Sequence, residues 1–234
     1  MTHAFIKHGV RHVFHDMGGD IGQWLIDNFQ KWEEHTFHVF EQVKSPNATA
    51  LDIGAWIGTT AIWLAHNFAN VVAVEPDPVS ADFLKRNLVA SGCTNVIICD
   101  RPISNVERDV VFGPRGHELN QSTSYIKAMQ DNPNDVTIRT VTFDNLPIPE
   151  GANVTFVKCD IEGGEESILE DLLEFCIKNK SHAWVSFHLS WWKDQDIKRF
   201  LNLFSKFNTD VPDPISRLIH QDGFGSILFQ PKGD

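Results

Sequence analysis

Four acids in this chain of 234 residues each close an apolar run: Asp52 in TALDIGAWIG, Glu75 in VVAVEPDP, Asp100 in NVIICD and Asp160 in VTFVKCDIEGGEE. A fifth run, AWVSFHL, closes on His188. Short apolar runs of this kind read as buried parallel strands. The acids and the histidine are therefore expected along the carboxyl edge of one sheet, where open α/β sheets bind ligands. Glu75 is placed to accept hydrogen bonds from both hydroxyls of a ribose, because Pro76 keeps its predecessor out of helical angles at the strand end. Asp160 and His188 fall at neighbouring strand ends and are the candidates for catalysis. His188 has the ordinary pKa of a general base, with a hydrogen-bonding or a packed histidine as the alternatives, and Asp160 can orient an acceptor or a cofactor. Glu162 lies close to them in sequence. Trp191 and Trp192 follow His188 closely, and such rings stack on the apolar face of a sugar or cover a sheet edge. Tyr125, Lys127 and His117 can cover an acceptor in the same way.

The elements that position these groups follow from the pattern. Gly54, Ala55 and Gly58 form a glycine turn between the first core strand and a helix carrying Ile62, Trp63, Ala65 and His66. Gly54 lets the backbone pass close to a ligand, and the NH groups at Gly58–Thr60 face the same crevice. Asp77 caps a helix with Val79, Phe83, Leu84 and Leu88 on one face, ending at Gly92. A further helix turns Ile168, Leu169, Leu172, Leu173 and Cys176 inward. Asp194 or Asp196 opens a helix through Ile197, Phe200, Leu201, Phe204 and Phe207. Residues 1–20 read as a polar arm over the sheet edge. A helix from Ile21 runs through about Lys31, and Phe37–Phe40 is a short strand or that helix continued. The irregular stretch from Arg101 to Asn134 is expected to hide short strands at Val110–Phe112 and Ser124–Ile126, and Val136–Phe143 is extended. The closing strand, Gly225–Gln230, alternates and is expected antiparallel, with His220–Gly225 as its turn. The fold class is α/β: a doubly wound, mostly parallel sheet with helices on both faces and an antiparallel strand near the C-terminus. Residues 1–234 read as one domain, with 1–45 an N-terminal helical extension or substrate-side cap.

The loop Gly54-Ala55-Trp56-Ile57-Gly58 lacks the second glycine of a dinucleotide fingerprint, and Trp56 crowds a pyrophosphate. A phosphate-free cofactor with a cationic centre suits a loop ringed by acids. S-adenosylmethionine is such a molecule, its ribose and adenine met by Glu75 and the Asp100 region. An NAD-dependent oxidoreductase and a catalytically inactive binding module are the alternatives.

LDIGAWIGTT, VVAVEPDP, TVTFDNL and VKCDIEGGEE resemble the successive motifs of the FkbM family of S-adenosylmethionine-dependent methyltransferases, from about Ala50 to His188. The resemblance implies a seven-stranded class I methyltransferase sheet and O-methylation, often of sugar hydroxyls in glycans or small metabolites. It also implies that Asp52, Gly54, Gly58 and Glu75 hold the methionine and ribose parts, with Asp160 beside the transferable methyl and Glu162 and Glu165 nearby. Two positions depart from the family: Trp56 replaces a small polar residue, and Ser186-Phe187-His188 replaces a triplet that carries a carboxylate. A divalent cation such as magnesium, held by Asp160 with other acids, is a second way to lower an acceptor's pKa.

Thirty-one acids against twenty Lys and Arg give a net charge of -11, which disfavours nucleic acid or anionic membrane as a partner. The expected partner is a small-molecule or saccharide acceptor. Cys93, Cys99, Cys159 and Cys176 show no metal-site or disulfide spacing and read as buried thiols. With no apolar run of membrane-spanning length and no signal-peptide core, a cytoplasmic location is expected.

Overall fold

The computed structural model describes residues 1–115, 124–192, 197–220 and 224–233. The chain opens with a hairpin, β1 (Thr2–Lys7) and β2 (Val10–His15), followed by α1 (Gly19–Asn28) and α2 (Glu34–Val43). The core then alternates: β3 (Ser45–Ile53), α3 (Ala61–Asn67), β4 (Phe68–Val74), α4 (Pro78–Ala90) and β5 (Val96–Cys99). A second, three-stranded sheet is built from β6 (Asp109–Pro114), β7 (Ser124–Lys127) and β8 (Val136–Arg139). The main sheet resumes with β9 (Val154–Cys159), α5 (Glu165–Asn179) and β10 (His182–His188). Short α6 (Leu201–Phe204), β11 (Phe207–Thr209), α7 (Pro214–His220) and β12 (Phe224–Pro231) complete the chain.

The main sheet has seven strands in the order β11-β12-β10-β9-β3-β4-β5. Strands β3, β4, β5, β9 and β10 are parallel, whereas β12 runs antiparallel to β10 and β11 antiparallel to β12. From β3 the chain first winds outward to β4 and β5, then returns to β9 on the other flank. The order reverses at β3, and the crevice above the carboxyl ends of β3, β4 and β9 is where such sheets take ligands.

Alternation along each central strand divides the core in two. Leu51, Ile53, Val72 and Val74 face a layer with α5, while Ala50, Val71 and Ala73 face α3, α4 and the N-terminal elements. The inward side of α5 is Ile168, Leu169, Leu172, Leu173 and Cys176, as its periodicity predicts. Asp77 caps α4 by accepting from the Val79 and Ser80 amides. The buried face of α4 is Ser80, Leu84, Asn87 and Leu88, so Val79 and Phe83 sit at its margin. Asn87 ties three elements together: its amide donates to the Ile57 carbonyl and its oxygen accepts from the His15 amide.

Several expectations change. Residues 2–15 are a hairpin, not an arm, and its two-residue turn, His8-Gly9, has φ of 44° and 77°, the left-handed pair that matches strand twist. Phe37–Phe40 is helical, within α2. The strands expected at Val110–Phe112 and Ser124–Ile126 are present as β6 and β7, and the extended stretch begins with β8. Residues 197–200 form a 3-10 turn leading into α6, and Phe207 already belongs to β11. His117, Asp194, Asp196 and most of the turn expected after His220 lie outside the described residues. Cys99, Cys159 and Cys176 are buried free thiols, and Cys93 is half-buried. Among the described residues no helix is long and apolar enough to cross a membrane.

Candidate active site

The carboxyl ends of the central strands open into a cavity of about 1100 Å³. Ligand-binding clefts typically measure about 300–1,000 Å³, so this one lies at the large end of that range. Its floor is the glycine turn. Gly54 has a φ of 79°, and a Cβ on it would lie 1.9 Å from the Asp160 carbonyl oxygen, so no other residue fits between β3 and β9 there. Trp56 also has a positive φ, 47°, and its amide donates to Glu75 Oε2 at 2.7 Å. Glu75 Oε1 accepts from the Asp77 amide at 2.9 Å. Burial pushes the Glu75 carboxyl up to about 7 despite these two donors.

Beneath the turn, Asp52 is fully buried and accepts from the Thr60 hydroxyl at 2.8 Å. Its register partner on β9 is Lys158, whose ammonium donates to the Gly54 carbonyl at 2.8 Å and lies 3.4 Å from Asp52 and 3.9 Å from Asp160. Burial opposes the charge on Lys158, but Asp52 and Asp160 outweigh it and hold its pKa above the ordinary value. A lone lysine in the apolar run VTFVKC had to be paired, and that was the signal the sequence carried for it.

At the end of β10, His188 sits in a ring of carboxylates. Its Nδ1 is 2.9 Å from Glu165 Oε1, and its Nε2 is 3.5 Å from Glu162 and 3.7 Å from Asp160. Burial disfavours the imidazolium, but the Glu165 hydrogen bond and the neighbouring carboxylates prevail and raise its pKa to about 9. His188 is thus a cation at neutral pH in the free protein, a change from the unshifted histidine expected of a base. Burial likewise raises Glu162 to about 7. Glu33, in the turn before α2 with a φ of 48°, reaches the same cavity and is raised to about 7 by burial and by Asp160. No local pattern marks Glu33, because its position depends on how α1 and α2 pack.

Gly54, Glu75, Pro76, Asp160, Glu162, His188 and Trp191 all line the cavity. Asp52, Ala55, Gly58, Asp100 and Trp192 do not. Asp52 supports the turn from below. Asp100 is exposed and borders a separate shallow pocket beside α4, so the crevice wall expected from it is supplied by Pro102–Asn105. Trp192 packs between Phe187 and Phe200 and donates its indole N–H to Glu165 Oε2. It is a core residue, and the ring facing the cavity is Trp191, stacked on His188 at 5.3 Å. Ser186, where the family motif has a carboxylate, lines the cavity and shares a 3.0 Å hydrogen bond with Ser226.

The domain model of the FkbM methyltransferases matches residues 52–208, well over half of the chain. The chain belongs to the FkbM methyltransferase family. Likenesses to individual proteins are more limited. A probable ribosomal RNA small subunit methyltransferase A of Methanosphaera stadtmanae is 40% identical over 52 residues, 22% of this chain and 19% of that protein. The crystal structure of methyltransferase FkbM from Methylobacillus flagellatus KT aligns at 16% identity with a TM-score of 0.49, over 92% of this chain and 56% of that one. An rRNA methylase from Streptococcus thermophilus aligns at 12% identity with a TM-score of 0.53, over 85% of this chain and 96% of that one. The chain therefore spans about half the length of the FkbM structure and under a fifth of the curated relative. In this family member the DIEGGE motif has a legible physical role. Glu165, fully buried, accepts from the Ile161 and Gly163 amides, from Trp192 and from His188, and so fixes the loop that presents Asp160 and Glu162.

Asp160, Glu165 and His188 each offer a ligand-type atom within 4.8 Å of the others. The set does not fit magnesium, which demands near-octahedral oxygen ligands. Both Glu165 oxygens are already taken up by N–H donors, and His188 offers a nitrogen rather than an oxygen.

Proposed function

We propose that this chain is an S-adenosylmethionine-dependent O-methyltransferase whose acceptor is a hydroxyl of a saccharide or sugar-containing small molecule. The observation that carries this reading is a single cavity holding a strand-end carboxylate, Glu75, and a histidine ringed by Asp160, Glu162 and Glu165. The residues fit the cofactor. Glu75 retains acceptor capacity for a ribose diol, the acids Glu33, Asp160 and Glu162 favour a cation, and the buried Trp56 indole N–H has no partner among the described residues. Bound S-adenosylmethionine supplies an already activated methyl group on a sulfonium.

The chain's own part is to orient the acceptor and take its proton. Holding an oxygen in line with the reacting carbon does much of the catalysis. Trp191, Tyr125 and Phe224 give the outer cavity aromatic walls on which the apolar face of a sugar ring stacks. His188 takes the hydroxyl proton on Nε2, with Glu165 on Nδ1 fixing the ring and stabilising the imidazolium that forms. Asp160, Glu162 and Glu33 would hold the cationic part of the cofactor, and a cation there would favour the neutral, proton-accepting form of His188. Asp160 orients the acceptor. Residues 1–45 act as a cap within a single domain, since Asp20, Ile21, Trp24, Trp32 and Glu33 all reach the cavity.

An NAD-dependent reading suits the cavity less well, because carboxylates ring the space a pyrophosphate needs and Trp56, packed on Trp24, occupies the glycine turn. RNA is disfavoured by a charge of -11. Calorimetric titration with S-adenosylmethionine and S-adenosylhomocysteine tests the proposal: saturable binding of both is expected, and no heat from either ends it.

A further inference from the structure

The acceptor side of the cavity holds a cation that methyl transfer to a neutral sugar does not use. Arg115, just after β6, lies with its guanidinium 4.2 Å from the Tyr125 ring centroid and 4.5 Å from that of Trp191. One Nη donates to the Glu162 carbonyl at 2.6 Å. Gly163 permits this approach: a Cβ there would meet Trp191 Cβ at 2.7 Å and the Arg115 Nη at 3.0 Å. The guanidinium is therefore held at a set place and angle by three partners, on a chain whose net charge is -11.

Among the described residues its counter-charge is missing. Arg86, Arg101, Arg139 and Arg199 each pair with a carboxylate. Among the described residues none lies within ion-pair reach of Arg115, nor of Arg108, which leads into β6 and lines the same cavity. With rings packed against the guanidinium and one N–H on a carbonyl, what remains is its in-plane edge. That edge is a planar fork of N–H groups matched to two oxygens of a carboxylate or phosphate.

We infer that the acceptor is anionic: besides the hydroxyl that is methylated it carries an oxyanion, a carboxylate or a phosphate, which docks on Arg115 with Arg108 as a second positive charge. The inference rests on the acceptor-hydroxyl reading above and narrows it from saccharides in general to acidic ones. Neighbouring walls of the cavity then differ in sign, with Trp191 between Arg115 and His188. The carboxylates around His188 receive a cation and the arginines receive an anion, so the oxyanion of an acidic acceptor is turned away from those carboxylates.

Calorimetric or NMR titration with D-glucuronate, D-glucose 6-phosphate and D-glucose tests this, since the three share a ring and differ in charge. At least one anionic sugar should bind about tenfold or more tightly than glucose, and the better of the two identifies carboxylate or phosphate. In Arg115→Met that preference should vanish, and in Arg115→Lys it should be partly retained, because the charge survives and the fork does not. Thermal melting and S-adenosylhomocysteine titration of both variants report whether the cavity is intact. Equal binding of the three sugars by the wild type, or an anion preference that survives in a folded Arg115→Met, overturns the inference and assigns Arg115 to bracing β6 and β7 against the Glu162 loop. Binding of S-adenosylhomocysteine without any anion preference sinks this inference alone. Anion preference without cofactor binding sinks the methyltransferase reading instead.

Discussion

Replacing Glu75 by Gln probes cofactor placement at one atom. Both carboxylate oxygens are engaged, Oε1 with the Asp77 amide and Oε2 with the Trp56 amide, and the residue is 7% exposed. Glutamine keeps one acceptor and turns an NH2 towards the other backbone N–H. A lost bond to a charged acceptor, with a donor left unpaired, costs about 1–3 kcal/mol. That strain bears on the turn carrying Trp56, and the ribose hydroxyls lose an anionic acceptor at the same time. Affinity for S-adenosylhomocysteine should therefore fall about 10–100-fold. Calorimetry at pH 8 is the assay, because burial raises the carboxyl to about 7 and the wild-type group is then ionised. At pH 6 wild-type Glu75 is itself largely protonated, and the gap should narrow. A folded Glu75→Gln that binds the product within about twofold of wild type at pH 8 would refute the placement of the ribose.

Gly54→Ala should abolish cofactor binding and lower the melting temperature, since its Cβ falls 1.9 Å from a backbone oxygen at a left-handed φ; a normal melt would show that β3 and β9 can part at no cost. The two adjacent tryptophans should behave oppositely. Trp192→Ala should destabilise the fold by about 3–5 kcal/mol in chemical denaturation, whereas Trp191→Ala should leave stability nearly unchanged and raise the acceptor KM. His188 has two pH signatures. Its pKa, about 9 when folded against an ordinary 6.5, adds stability that is full below 6.5 and lost as pH rises to 9. The wild-type melting temperature should fall across that window, and less steeply in His188→Asn. Turnover with cofactor and acceptor both limiting should rise with pH towards about 9, because the base of the free protein must first lose its proton; a flat profile would remove His188 from that role.

Much of the site was legible because the sheet itself is local. Apolar runs ending in Glu75 and Asp160, a glycine turn and a proline are contiguous signals, and each sits at a strand's carboxyl end. The hairpin at residues 2–15 was missed because its turn, His8-Gly9, has no Asn or Asp, and because β1 exposes Ile6 and buries Lys7, against the usual sorting of apolar and charged residues. Glu33 and Arg115 were missed for a different reason. Both reach the cavity from elements whose position is set by packing against distant parts of the chain: Glu33 beside Lys158 and Asp160, Arg115 between Tyr125 and Trp191. Trp191 and Trp192 could not be separated by sequence, since a 3-10 turn decides which ring faces outward. The charge on His188 was equally hidden, because it comes from three carboxylates of which Glu165 lies 23 residues away.

A crystal structure with S-adenosylhomocysteine bound addresses the central claim most directly. Both ribose hydroxyls should lie within hydrogen-bonding distance of Glu75, with the sulphur directed towards Asp160 and His188. A nucleoside bound away from Glu75, or a Trp56 side chain filling the space between β3 and β4 where it should lie, would contradict the assignment.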